Sequence, residues 1–65
     1  MRCEIVVRGL LGETLLAAFP TLSAEANGAE TVLVGTLADQ AALYGVIAQI
    51  EALGLELIEV RQAHS

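Results

Sequence analysis

The sequence predicts an α+β domain: a four-stranded antiparallel sheet with two helices on one face. Three observations carry this. Alternating runs open and close the chain, at "RCEIVVRG" and "LELIEVRQ". Between them lies one long apolar stripe at helical spacing, over "DQAALYGVIAQIEALG". An Asn27-Gly28 dipeptide sits midway between two further strand-like runs. The order β-α-β-β-α-β is that of the ferredoxin-like split βαβ, and right-handed crossovers place both helices on the same side. Nothing in the pattern marks a linker or repeat, so residues 1–65 read as a single domain.

In the first strand Cys3, Ile5 and Val7 fall on one face, with Arg2, Glu4, Val6 and Arg8 on the other. "LLGETLLAAFP" follows as a helix of about two turns. Leu11, Leu15 and Phe19 recur at helical spacing, Gly12 weakens the start and Pro20 stops it. "TLSAEANGAETVLVGTL" reads as a hairpin, with Asn27-Gly28 as the centre of a type I′ turn. That centre pairs Ala26 with Ala29, Ala24 with Thr31 and Leu22 with Leu33. In the second helix Leu43, Val46, Ile47, Ile50 and Leu53 form the stripe, with Asp39 as N-cap and Gly54 just past the end. Gly45, a costly residue inside a helix, suggests close approach to the sheet or to another chain. The last strand turns Ile58 and Val60 one way, and Leu57, Glu59 and Arg61 the other.

The helices can cover only one face of such a sheet, for which Cys3, Ile5, Val7, Leu22, Leu33, Ile58 and Val60 are the candidates. The other face then carries Val6, Val32, Val34 and Leu57, ringed by Glu4, Arg8, Glu59 and Arg61. An apolar strip inside a charged ring has the layout of an interface core with a polar rim. The first and last strands are neighbours in this fold, which brings Glu4 towards Arg61 and Arg8 towards Glu59. A chain of 65 residues buries only about 60% of its unfolded surface and is marginal alone. With one cysteine no internal disulfide can form, and Cys3 and His64 sit at opposite ends with no ligand cluster, so neither metal nor cofactor is expected. Oligomerisation is the remaining source of stability, and a two-fold dimer is its commonest form.

Apolar residues make up 55% of the chain, yet only Phe19 and Tyr44 are aromatic. The net charge of −5, with three arginines and no lysine, argues against nucleic acid and anionic membranes as partners. The apolar runs are shorter than a membrane span, and "MRCEIVV" reads directly into a strand rather than a signal peptide. A cytoplasmic setting is the expectation.

The run Asp39, Gln40, Ala41, Ala42, Leu43, Gly45 and Val46, preceded by Thr31, Val32, Leu33 and Gly35, continues to Leu53, Gly54, Leu55, Leu57 and Val60. Here the second half of the chain resembles a group of short, functionally uncharacterised bacterial proteins. Their C-terminal pattern is T-V-L-x-G-P-x-x-D-Q-A-A-L-H-G-V-L, then D-L-G-L-P-L-x-x-V. Thr36 and Glu56 stand where that group has proline, and Tyr44 where it has histidine. The resemblance implies the ferredoxin-like fold and supplies no activity. The helix-strand part is also similar, generically, to metabolite-sensing ACT domains.

No catalytic constellation is present. Asp39 reads as a helix cap, Cys3 as a buried inert thiol, His64 as a tail residue and "RGLLGET" as a turn without the spacing or lysine of a phosphate loop. Gln40 and Tyr44 remain as possible ligand or partner contacts. The reading is a small homo-oligomeric binding or protein-interaction module, with another protein or a small molecule as a further partner. The alternatives are an ACT-like sensor and a small dimeric enzyme of isomerase or cofactor-free oxygenase type. The enzyme would use Tyr44, Asp39 or Glu13 in a pocket between helices and sheet.

Overall fold

The computed structural model describes residues 1–63; the tail position His64 lies outside the described residues. The elements are β1 (Arg2–Arg8), α1 (Glu13–Leu16), β2 (Ser23–Asn27), β3 (Glu30–Thr36), α2 (Gln40–Ala52) and β4 (Leu57–Ala63). The sheet is four-stranded and open, ordered β2-β3-β1-β4, with every neighbouring pair antiparallel. The fold is therefore α+β with two helices, and β1 and β4 are neighbours as expected. Cys3, Ile5 and Val7 of β1 and Leu33 of β3 pack with Phe19, Leu37, and Leu43 and Ile50 of α2 into one core.

α2 follows its sequence signals closely. The Asp39 carboxylate accepts from Ala42 N at 2.8 Å, satisfying one of the amides that a first helical turn leaves free. At the other end Gly54 has φ +74. Gly54 N donates to Glu51 O at 3.0 Å and Leu55 N to Ile50 O at 3.1 Å, the paired bonds of a Schellman stop. Leu43 and Ile50 are buried and Val46 and Ile47 half-buried, but Leu53, at the C-cap, is exposed rather than part of the stripe. Gly45 is exposed, and a Cβ there would meet nothing within 4 Å, so it marks no close approach among the described residues.

The close approach is at Gly35. A Cβ there would lie 2.7 Å from Leu22 Cδ2 and 2.8 Å from Thr21 O. Leu22 precedes β2, so it caps the end of β3 instead of pairing with Leu33.

α1 is one turn, not two. Gly12 offers no side chain to cap it. Past Leu16 the bonds tighten to Ala18 N to Leu15 O at 3.1 Å and Phe19 N to Leu16 O at 3.0 Å. The helical spacing therefore breaks before Phe19, and Leu16 rather than Leu15 packs on the core.

The hairpin turn is centred on Gly28-Ala29, one residue later than expected. Asn27 pairs with Glu30, and Gly28, φ +64, is the left-handed residue of the turn. That is the pattern of a type II′ turn, which needs glycine only at its first central position. Ala24 now faces Leu33 and Ala26 faces Thr31. The slip is of two residues, so each side chain keeps its face.

β4 departs further. Val6 pairs with Glu59 but Val7 pairs with Leu57, which leaves Ile58 as the extra residue of a bulge. Leu57 turns to the core and Ile58, 39% exposed, takes the place on the open face expected of Leu57. The expected assignments of these two residues are exchanged.

Thr31 is the buried polar residue of the core. Its hydroxyl donates to Gly9 O at 2.7 Å and accepts from Leu11 N at 3.2 Å. It thus ties the β1-to-α1 loop to the middle of the sheet.

Candidate interaction face of the sheet

The face of the sheet turned away from the helices is built by the strand registers. Across its centre runs the row Glu25, Val32, Val6, Glu59, with the row Ser23, Val34, Glu4, Arg61 on one side. Val6 is buried, Val32 and Val34 are half-buried, and Ile58 extends the apolar strip from the bulge. The curved face encloses a shallow groove of about 360 Å³ lined by these residues and by Glu4, Glu25, Glu30, Glu59 and Arg61.

The charged rim forms only part of the expected pairing. Arg61 Nη1 lies 3.6 Å from Glu4 Oε1, across β1 and β4. Arg8 does not reach Glu59. Its Nε donates to Glu56 Oε1 at 3.0 Å, and its backbone N donates to Glu56 O at 3.0 Å. The bulge at Ile58 displaces the start of β4, so that Glu56 lies opposite Arg8, while Glu59 pairs with Val6. Glu59 instead accepts from Arg61 Nε two residues along the same strand. The Arg61 guanidinium is held above its ordinary pKa, first by that hydrogen bond, then by the charge of Glu59, with a smaller contribution from Glu4. All these pairs are well exposed, and such pairs contribute at most about 1 kcal/mol each.

The two cations not in the centre, Arg2 and Arg8, share this face with Glu4 and Val6, because alternate residues of β1 point the same way. All three arginines of the chain therefore lie on the open face. The helical elements carry only acids: Glu13 in α1, Asp39 at the cap of α2 and Glu51 within it.

The other candidates do not gather into a site. The Gln40 side chain donates to Gln62 Oε1 at 3.0 Å, joining the start of α2 to β4. Tyr44 is 64% exposed. Tyr44, Asp39 and Glu13 line neither the central groove nor the smaller one formed by Arg2, Glu4, Arg61, Gln62 and Ala63. Cys3 is buried, with its thiol 3.9 Å from Met1 O. Among the described residues no group of acids, cysteines or histidines is placed to hold a metal, and no helix is long and apolar enough to cross a membrane.

A family model described as a domain of unknown function (DUF8691) matches residues 2–61. No curated protein and no solved structure matches the chain.

Proposed function

The chain belongs to the family of that domain of unknown function, DUF8691, and we propose that it acts as a small interaction module, without chemistry of its own, that pairs through its open sheet face with a second copy of itself. The element order and the central position of β1 support reading the sheet as ferredoxin-like, with one face left for assembly. A cytoplasmic setting goes with this reading.

The observation that carries the proposal is the division of charge. A two-fold interface sets a patch against itself, so a patch of one sign repels its copy. The helical layer holds acids and no cation. The open face holds an apolar strip, Val6, Val32, Val34 and Ile58, inside a rim of both signs. Self-contact there is apolar at the centre and compensated at the edge. A dimer of ordinary size takes about 800 Å² from each partner, roughly one fifth of this chain's 4062 Å².

Sedimentation equilibrium tests this. The chain is expected as a dimer at micromolar concentration. Val34→Lys, which puts a charge beside Glu4 in the strip, is expected to lose this face-to-face dimer with an unchanged far-ultraviolet circular dichroism spectrum. A wild-type chain that sediments as a monomer overturns the reading.

A further inference from the structure

The two outer strands of the sheet complement each other as well as the open face complements itself. The two-residue turn makes Asn27 and Glu30 a hydrogen-bonded pair. Such pairs alternate along an antiparallel ladder, so the N–H and C=O groups of Ala24 and Ala26 point outward from β2. Carrying the alternation through β3 and β1 leaves those of Val60 and Gln62 pointing outward from β4. It agrees with the mutual bonds of Met1 and Leu37, at 2.8 and 2.7 Å, which extend the same ladder.

We propose that the β2 edge takes the β4 edge of a second copy, so that sheets join head to tail with Glu25 set against Arg61 of the neighbour. Direction, face and register all agree. β2 runs antiparallel to β4, so a copy shifted sideways presents β4 antiparallel to β2 with both open faces on one side. The outward groups then pair Ala24 with Gln62 and Ala26 with Val60. This opposes Glu25 to Arg61, Ser23 to Ala63 and Asn27 to Glu59. All five residues of β2 meet the part of β4 beyond the bulge.

Glu25 is the only charge on β2, and neither β2 nor β3 holds a cation. Ala24 and Ala26 are exposed and small, so the incoming Gln62 and Val60 meet only methyl groups.

The competing edge pairings fit less well. β2 on β2, using both outward alanines, sets Glu25 on Glu25, and like charges directly opposed are unfavourable. β4 on β4 sets Arg61 on Arg61 when Val60 pairs with Gln62. When centred on Val60, it pairs only residues 59–61 before the bulge interrupts it.

Charge exchange between two variants is the test. Glu25→Arg alone and Arg61→Glu alone each oppose like charges at every junction. Each is expected to weaken concentration-dependent growth in light scattering about tenfold. Mixed in equal amounts they alternate, with opposite charges at every junction, and growth is expected to return. Ala24→Pro removes an outward donor without touching the bonds to β3, and is expected to abolish growth while the chain stays folded. Single variants that grow like the wild type, or a mixture no better than its parts, overturn the proposal. Val34→Lys is expected to retain edge growth, so failure of the face dimer and failure of the edge contact are distinguishable.

Discussion

Gly35 has no room for a Cβ beside Leu22 and the Thr21 carbonyl. Gly35→Ala is therefore expected to destabilise the chain by about 1–3 kcal/mol, as overpacking does, read as a lower midpoint in urea. Gly45 is the opposite case, exposed with open space around it. Gly45→Ala is expected to raise stability by up to about 1 kcal/mol in the same titration. Asp39→Ala removes the side-chain bond to Ala42 N and is expected to cost about 1 kcal/mol. Thr31→Val keeps the shape but leaves Leu11 N and Gly9 O without their partner; about 1–3 kcal/mol is expected to be lost. The Asp39 cap was legible in the sequence because its bond is local. The roles of Thr31 and Gly35 were not, because their partners lie 20 residues away in Leu11 and across the strand end in Leu22.

Among the elements, α2 carries its own instructions. Cap, stripe and glycine stop all act within 16 residues, at positions 39–54. β4 does not. Its alternation says that Leu57 faces away from Ile58, but not which of them meets the core. The bulge opposite Val6 and Val7 makes that choice. Leu57→Ala is expected to cost about 2 kcal/mol, for truncation of a core-packing residue, and Ile58→Ala well under half of that in the monomer. Thermal unfolding of the two variants at a concentration below assembly reads the difference. Equal losses would mean that both residues pack on the core. The turn shows the same limit on a smaller scale. Asn27-Gly28 correctly marks a hairpin, yet glycine can serve as first or second central residue. The pairing of the flanking strands, Glu25 with Val32 and Ala24 with Leu33, selects the first.

For the whole molecule the question is how so small a chain closes its surfaces. One face of the sheet is covered by two helices and the other by nothing among the described residues. The strip at Val6, Val32 and Val34 was readable from alternation alone, since every second residue of a strand shares a face. Its rim was only half readable. Glu4 and Arg61 meet, while Arg8 turns to Glu56. A self-associating face with exposed rim pairs should depend little on salt, because its core is apolar. Junctions between β2 and β4 should weaken as salt screens the contact of Glu25 with Arg61. Sedimentation of the wild-type chain at low and high ionic strength reads both: the dimer is expected to persist while larger species recede.

Local chemistry wrote the element order, the limits of α2, the position of the hairpin and the two-sided character of β1 into the sequence. Each rests on interactions between residues close along the chain, or on a period that survives shifts of two. Two features came from the packed molecule: the bulge that exchanges Leu57 with Ile58, and the register that sets which backbone groups of β2 and β4 point outward. Both depend on strand pairings between residues far apart in the chain, which no local pattern of the sequence specifies.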